Sequence, residues 1–203
     1  MPKIALPAVL LALLLGACTQ MRESNPSRTA TEQLLLSAAA DRAAERLAND
    51  IPAGSRIFLD AANFDAYDGK YAVSTIRSSL MKHGAFLVAD RGQADTIVEV
   101  RAGALSTDSE KLLIGIPSFD VPIPLAGDLK SPEIALFKRD RTQGVAKFAA
   151  TGYDAKTGSL VATTDPVFGL SQKTEYVALL FFSWARNDVK PPAEGTLLDR
   201  AVP

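Results

Sequence analysis

The sequence is poor in the residues that build disulfide frameworks and zinc clusters. Its 203 residues include one cysteine and one histidine. A single cysteine cannot close a disulfide within the chain, and a structural zinc site takes about four Cys and His ligands. The composition therefore excludes a disulfide-stapled scaffold and a zinc-finger module.

An excess of positive charge is also missing. Lysine and arginine total 22 and aspartate and glutamate 23, so the formal net charge at pH 7 is −1. Generic nucleic-acid binders carry a basic excess that neutralises phosphates, so we expect no nucleic-acid partner. With 47% hydrophobic and 22% charged residues, the composition is that of a globular protein, and the length fits one domain of about 100–200 residues.

Motifs for nucleotide binding and for nucleophilic catalysis are absent: the chain has no Gly-x-Gly-x-x-Gly, phosphate loop or Gly-x-Ser-x-Gly. The single imidazole, His83, precedes Gly84 and fits a helix C-terminus better than a catalytic triad. Asp60, Asp65 and Asp68 share a predicted loop, but their spacing matches no calcium loop, and Asp68 is a natural helix N-cap. We expect a protein that is not an enzyme and uses no cofactor and no metal.

The N-terminus, by contrast, carries a clear signal. Lys3 precedes an apolar run from Ile4 to Leu15, which is too short to span about 30 Å of hydrocarbon and is typical of a secretory signal peptide. Leu15-Gly16-Ala17-Cys18 follows and resembles a bacterial lipobox. This resemblance implies signal-peptidase cleavage between Ala17 and Cys18 and lipidation of Cys18. An ordinary signal peptide followed by a chance cysteine is the alternative.

Lipidation at Cys18 would place the chain on a membrane. Each buried CH₂ of an acyl chain such as palmitate contributes about 0.8 kcal/mol, and several chains give stable anchoring. Thr19, not aspartate, follows the cysteine. By analogy with enterobacterial lipoprotein sorting, this implies the outer membrane, with the folded part facing the periplasm.

The remaining pattern predicts an α/β (α+β) fold in which two helices pack on a mixed or antiparallel sheet. Thr29 and Glu32 form a predicted capping box ahead of a helix over 31–48. A second helix is predicted over 69–83, with core candidates Tyr71, Ile76, Leu80 and Met81. The predicted strands lie at 55–60, 85–89, 94–104, 134–138, 144–154 and 160–167.

The predicted organisation has four parts. They are a lipoprotein signal peptide (1–17), a tether (18–28), a single domain (29–187) with an irregular proline-rich insertion (105–132), and a loose C-terminal tail (188–203). Prolines interrupt the hydrogen-bond ladder of a sheet, which is why the insertion is predicted as irregular.

Two segments are candidate contact surfaces. Val121, Ile123 and Leu125 alternate with prolines in the insertion, so exposed side chains there would need a partner. Phe181, Phe182 and Trp184 belong to the apolar run 175–184. A buried strand or helix that completes the core is the favoured interpretation of that run, and a surface that contacts lipid or a partner is the alternative.

Several segments together resemble an uncharacterised family of bacterial lipoproteins built on a domain of unknown function. These are the lipobox, Arg28-Thr-Ala-Thr-Glu-Gln-Leu-Leu-Leu-Ser37, Ile114-Gly-Ile-Pro-Ser118 and Leu179-Leu-Phe-Phe-Ser-Trp184. The order of elements and the hairpin Tyr153-Asp-Ala-Lys-Thr-Gly-Ser-Leu-Val161 also resemble, more distantly, the curli-secretion lipoprotein group and the N-terminal domain of the Tol-system propeller protein. The latter resemblance implies helices on a sheet and either ring assembly or a role as an assembly factor.

From these observations we expect an outer-membrane-anchored periplasmic lipoprotein that serves as a non-enzymatic binding or envelope-assembly module. Its expected partners are the membrane, through the lipid, and another envelope protein or a second copy of itself. An oligomeric secretion or pore component is the alternative, and a hydrolase of envelope polymers is a further one.

Overall fold

A computed structural model describes residues 28–123 and 127–189 of the chain. The predicted signal peptide with Ala17 and Cys18, the tether up to residue 27, Leu125 and the tail from residue 190 lie outside the described residues. The elements in chain order are α1 (Ala30–Asn49), β1 (Arg56–Asp60), α2 (Gly69–Lys82), β2 (Phe86–Leu87), a 3₁₀ turn (Arg91–Gln93), β3 (Thr96–Ile116), β4 (Asp120–Ile123), β5 (Gly127–Lys130), β6 (Ile134–Asp154), β7 (Leu160–Thr163), β8 (Val167–Ala178) and β9 (Phe182–Asn187).

The main sheet has the strand order β2-β1-β3-β6-β8-β9, and β7 also pairs with β6. Strand β1 is parallel to β2 and β3, whereas the other pairs in this sheet are antiparallel. Strands β4 and β5 form a separate two-stranded hairpin. The two α-helices of the described residues pack against the main sheet, so the predicted α+β fold with a mixed sheet is confirmed.

Helix α1 begins at the predicted capping box. The Thr29 side chain accepts a hydrogen bond from the Glu32 backbone N–H, and the Glu32 carboxylate accepts one from the Thr29 backbone N–H. Its buried face is rich in alanine, including Ala39 and Ala43, so the helix axis can approach the sheet closely. No helix of the described residues combines the length and the apolarity needed to cross a membrane.

The core lies between the two helices and the adjoining part of the sheet. Ile57, Val98, Val100 and Phe148 are buried from the sheet side, and the rings of Phe64 and Phe148 lie 5.2 Å apart. Helix α2 contributes Ile76 and Leu80, both fully buried. The prediction that Tyr71 and Met81 also belong to the core was wrong, because both side chains are about half exposed.

Strands β3 and β6 are far longer than the pattern predicted. Each has 21 residues, or about 70 Å at about 3.4 Å per residue, whereas the 20 residues of α1 span about 30 Å. The prediction of irregular structure from residue 105 was wrong for 105–116, which continue β3 and pair with β6 as far as Ile134. Strands predicted separately at 134–138 and 144–154 are one strand.

The sheet therefore has two parts. The part that carries the helices is here called the core lobe (28–106 and 144–171). The part beyond the helices, built from 107–116, 134–142 and 173–187, is called the extension. Its strands β3, β6, β8 and β9 run side by side, and its two faces differ in chemistry.

Candidate functional site

One face of the extension continues the face of the sheet that carries the helices, and it is polar. The Lys138 ammonium lies 2.8 Å from a Glu133 carboxylate oxygen and 3.5 Å from one of Asp140. The hydrogen bond to Glu133 is the main reason that the pKa of Lys138 is raised above its ordinary value. Lys173 and Glu175 form a second pair at 2.9 Å. Lys138 and Lys173 on this face are thus both paired with nearby carboxylates.

The opposite face, here called the open face, carries a row of aromatic rings across three strands. Phe137 of β6 lies 6.4 Å from Tyr176 of β8, measured between ring centroids. Tyr176 stacks on Trp184 of β9 with centroids 5.1 Å apart and an interplanar angle of 10°. Ile114 of β3 lies opposite Phe137 in the register of the sheet. Aromatic and apolar side chains therefore cross the extension from β3 to β9.

A strained turn caps this row where β8 passes into β9. Leu179 and Leu180 have φ values of 49° and 72°, a left-handed conformation that costs a residue other than glycine about 1–3 kcal/mol. Their backbone N–H groups donate to the carbonyls of Leu136 and Ala135 at 2.9 and 3.1 Å. These carbonyls lie at the irregularity in the β3–β6 register between Ile114 and Gly115. Backbone hydrogen bonds thus hold the turn on the end of the extension.

The turn presents apolar side chains to solvent. Phe181 is 73% exposed, and its ring lies 4.7 Å from that of Phe182. The large exposed hydrophobic residues at this end are collectively called the apolar end: Leu112, Ile114, Ile116, Phe119, Ile134, Leu136, Leu179, Leu180, Phe181, Phe182 and Trp184. Scattered exposed hydrophobic residues are normal in proteins, whereas many large ones gathered at one end of a sheet are typical of interaction surfaces.

These observations exclude one of the two interpretations of the run 175–184. It forms the end of β8, a turn and the start of β9, and Phe181, Phe182 and Trp184 are exposed. The favoured interpretation of a buried element was wrong, because no helix of the described residues covers the extension. Whether these side chains contact a partner stays a prediction.

The other predicted contact surface is described only in part. Val121 and Ile123 lie on β4, which pairs with β5, and not in an irregular loop. Their side chains, like Leu125, lie outside the described part of the structure. Sequence reasoning missed Leu112, Ile114 and Leu136, although the short apolar run 112–116 was a usable signal.

Two cavities flank α1 on the core lobe. The first, of about 450 Å³, is mainly apolar and is lined by Leu34, Tyr71 and Leu105, among others. The second, of about 410 Å³, is polar and includes Asp41, which accepts a hydrogen bond from the Tyr71 hydroxyl at 3.0 Å. Burial, followed by this hydrogen bond, raises the pKa of Tyr71 above its ordinary value.

Asp60, Asp68 and His83 make contacts of an ordinary structural kind, whereas Asp65 is exposed. Asp68 stands at the N-cap position of α2, but it makes no capping hydrogen bond and pairs instead with Arg28 at 2.9 Å. Asp60 pairs with Arg91 at 3.3 Å. His83 follows α2, and its Nδ1 lies 2.9 Å from the Ser79 carbonyl oxygen. Within residues 28–123 and 127–189, no three His, Cys, Asp or Glu residues are grouped to hold a metal ion.

Comparisons with known proteins place the chain in a family. Among solved structures, the chain is similar to E. coli LpoB, determined by NMR, with a TM-score of 0.36 and 10% sequence identity over 76% of this chain and 78% of that one. A search of curated proteins gave no match. The sequence profile of a family of unknown function, DUF6655, matches residues 12–179. The chain therefore belongs to the DUF6655 family.

Proposed function

We propose that this protein is a lipid-anchored, non-enzymatic binding module of the bacterial envelope that docks another envelope protein through its apolar end. The observation that carries the proposal is the group of exposed aromatic and aliphatic side chains around Phe181, Phe182 and Trp184. They lie on a part of the sheet that no described helix covers. Burial against a partner is the ordinary fate of such a surface.

The energetics favour docking at this end. Burying one phenylalanine or leucine side chain contributes about 1.5–3 kcal/mol, and the exposed members of the apolar end are numerous. The ring of Trp184 is already held by its stack on Tyr176, so little side-chain freedom is lost when a partner binds. Aromatic residues held in this way are common among the residues that dominate binding energies.

The attachment to the envelope rests on the N-terminal motif. Leu15-Gly16-Ala17-Cys18 supplies the small residues and the thiol that lipoprotein processing uses, and Thr19 favours the outer membrane. From Cys18 to Arg28, a fully extended tether of about ten residues reaches about 33–36 Å. The folded domain would then be held near the membrane surface on its periplasmic side.

The proposal is tested by photo-crosslinking in intact cells. A photoreactive amino acid replaces Phe181 in the full chain, and the matched control carries it at Phe86, which is 64% exposed on the opposite edge of the sheet. We expect the probe at 181 to give one discrete adduct with an envelope protein, and the probe at 86 to give none. Adding Phe182→Ser and Trp184→Ser should reduce the adduct at least tenfold, because the contact surface is lost.

Equal adducts from positions 181 and 86, or an adduct that survives both serine substitutions, would contradict docking at the apolar end.

The lipid anchor is tested in the same cells by separating membrane and soluble fractions. The chain with Cys18→Ser should leave the membrane fraction because it has no thiol to carry lipid. Its retention there at the level of the unmodified chain would contradict the lipid anchor.

A further inference from the structure

Strand β9 forms one edge of the main sheet. It pairs with β8 along one side, and no described strand pairs with its other side. The sheet's opposite edge is formed by β2, which has only two residues. Proline and charged side chains, lysine above all, are the usual devices that prevent an edge from pairing with another chain. The six residues of β9 contain no proline and no lysine, and their one charge is that of Arg186.

The hydrogen-bond pattern identifies the groups that face outward. The Asp188 N–H donates to the Gln172 carbonyl at 3.1 Å, so this pair is a hydrogen-bonded one. Hydrogen-bonded and non-hydrogen-bonded pairs alternate along an antiparallel ladder. The backbone N–H and C=O groups of Phe182, Trp184 and Arg186 therefore point toward β8. The backbone N–H and C=O groups of the alternate residues, Ser183, Ala185 and Asn187, point away from β8.

This edge is held in a fixed position. At its core-lobe end, Asp188 pairs with Arg42 of α1 at 2.8 Å, and it also accepts a hydrogen bond from the Gln172 N–H at 2.8 Å. Further along, Trp184 is stacked on Tyr176. The outward N–H and C=O groups are thus pre-positioned for a neighbouring strand, which lowers the entropic cost of pairing.

We infer that β9 pairs antiparallel with β9 of a second copy of this chain, about a two-fold axis at Ala185. In this register Ser183 lies opposite Asn187 of the second copy, and Ala185 lies opposite its own equivalent. The outward groups of all three residues are then satisfied, with up to about six hydrogen bonds for three hydrogen-bonded pairs. The small Ala185 side chain leaves room at the axis.

The charges on the open face fit the same register. Trp184 lies opposite Arg186 of the second copy, and the symmetry repeats this pair on the other side of the axis. The Arg186 side chain makes no ion pair or hydrogen bond within the described residues, and the face of an indole ring attracts a guanidinium. No two like charges of β9 face each other, so the strand is self-complementary. This self-complementarity favours a second copy of the chain over an unrelated strand as the occupant of the edge.

The dimer needs neither the lipid at Cys18 nor a partner protein. Its two open faces would join into one, because the two-fold axis stands perpendicular to the sheet. The core lobes would lie at opposite ends, since the paired strands are antiparallel. The apolar end of each copy would therefore lie beside the core-lobe end of the other copy's β9, and the two apolar ends would lie at opposite ends of the shared open face.

Disulfide trapping in native membranes tests the register. In the full chain, Ala185→Cys places two thiols at a hydrogen-bonded pair with Cα atoms about 5.5 Å apart, within the range of about 4.4–6.8 Å that a disulfide spans. The matched control Ser183→Cys puts its two thiols four residues apart along the ladder, or about 14 Å. Oxidation should give a covalent dimer with Ala185→Cys and none with Ser183→Cys or with the unmodified chain.

Adding Arg186→Glu to Ala185→Cys should lower the dimer yield about fivefold or more, because both cation–π pairs are lost. Equal trapping of the two cysteine variants, or no trapping of Ala185→Cys, would overturn the inference. The latter result would also follow if the chain's own C-terminal residues covered the edge. An Ala185→Cys adduct of a different mass would show that another protein occupies the edge. Photo-crosslinking at position 181 tests the proposed function independently of the disulfide trapping. The β9 dimer and the docking of an envelope protein can therefore be contradicted separately.

Discussion

Two glycines in the sheet decide how closely α1 can lie on it. A Cβ at Gly144 would lie 2.6 Å from the Leu35 carbonyl oxygen and 2.6 Å from the Ser171 hydroxyl. A Cβ at Gly169 would overlap the Ala39 carbonyl oxygen. The buried Ser171 hydroxyl donates to the Leu35 carbonyl at 2.6 Å. Helix and sheet are therefore in backbone contact, which any side chain at these positions would prevent.

Substitution of Gly169 by alanine tests this contact. Because the added methyl group meets helix backbone and not a movable side chain, α1 has to shift away from the sheet. We expect Gly169→Ala to destabilise the fold by about 1–3 kcal/mol or more. The measurement is urea unfolding of the full chain, followed by circular dichroism.

Gly152→Ala serves as the control, since a Cβ there has its nearest neighbours at 3.6 Å, an ordinary contact. It should change the free energy of unfolding by less than about 1 kcal/mol. If the two alanine variants unfold at the same urea concentration, the close approach of α1 to the sheet does not limit stability.

Residue-scale features were predictable from the sequence where the interaction is local. The capping box needs only Thr29 and Glu32 at the right spacing, and it was found. The roles of Gly144 and Gly169 depend on which helix lies above them, which no local pattern records. The burial of Tyr71 was not predictable from a local pattern either, because a tyrosine side chain has an apolar ring and a polar hydroxyl and occurs both in cores and at surfaces.

At the scale of elements, the turn between β6 and β7 offers a pH-sensitive test. The Asp154 carboxylate accepts hydrogen bonds from the backbone N–H groups of Thr157 and Lys156 at 2.7 and 3.0 Å and from the Thr157 hydroxyl at 2.9 Å. These bonds, led by the Thr157 N–H, hold the pKa of Asp154 below its ordinary value. The charged form is thus favoured in the folded hairpin.

The sign of the pH effect follows from the depressed pKa. The contribution of Asp154 to hairpin stability is complete above the unfolded-chain pKa of about 3.9 and is lost as the pH falls through the lower value of the folded state. We expect an NMR titration of the Asp154 carboxyl carbon to show a midpoint below that of an unstructured aspartate. The Thr157 amide should shift with the same midpoint.

Asp154→Asn keeps an acceptor oxygen at this position but does not titrate, so the Thr157 amide shift should become independent of pH over this range. A midpoint at or above the ordinary aspartate value in the unmodified chain would contradict the hydrogen-bonded turn.

Element lengths were harder to predict than element types. Both helices, and the strands around Ile57 and Val98, have patterns set by burial under the helices, and these were found. Beyond Leu105 no described helix packs on either face of β3. Burial therefore does not select apolar residues there, and charged residues such as Glu110 and Lys111 occur beside Leu112. A strand of this kind is stabilised by its pairing with β6 and not by its own alternation of polar and apolar residues. The sequence therefore suggested a loop there.

At the scale of the whole molecule, burial divides the chain into the core lobe and the extension. The fully buried side chains Ile57, Ile76, Val98 and Phe148 all belong to the core lobe. In the extension, every residue of β9 except Asn187 is exposed. Apart from Phe119, the candidate site lies in the extension. The sequence pattern did not predict the structure of this half, because burial in a core does not constrain the residues of an exposed surface.

This division predicts two levels of hydrogen-exchange protection along single strands. Backbone hydrogen bonds of residues 96–105 and 144–154 lie beneath the helices, whereas those of 107–116 and 134–142 belong to the same two strands without a helix above them. Exchange through local opening is fastest where few apolar contacts must break. Deuterium uptake measured by mass spectrometry should therefore be at least about tenfold faster in the second pair of segments. Equal protection in both halves of β3 and β6 would mean that the extension is covered in solution, and its apolar end could then no longer be considered free to receive a partner.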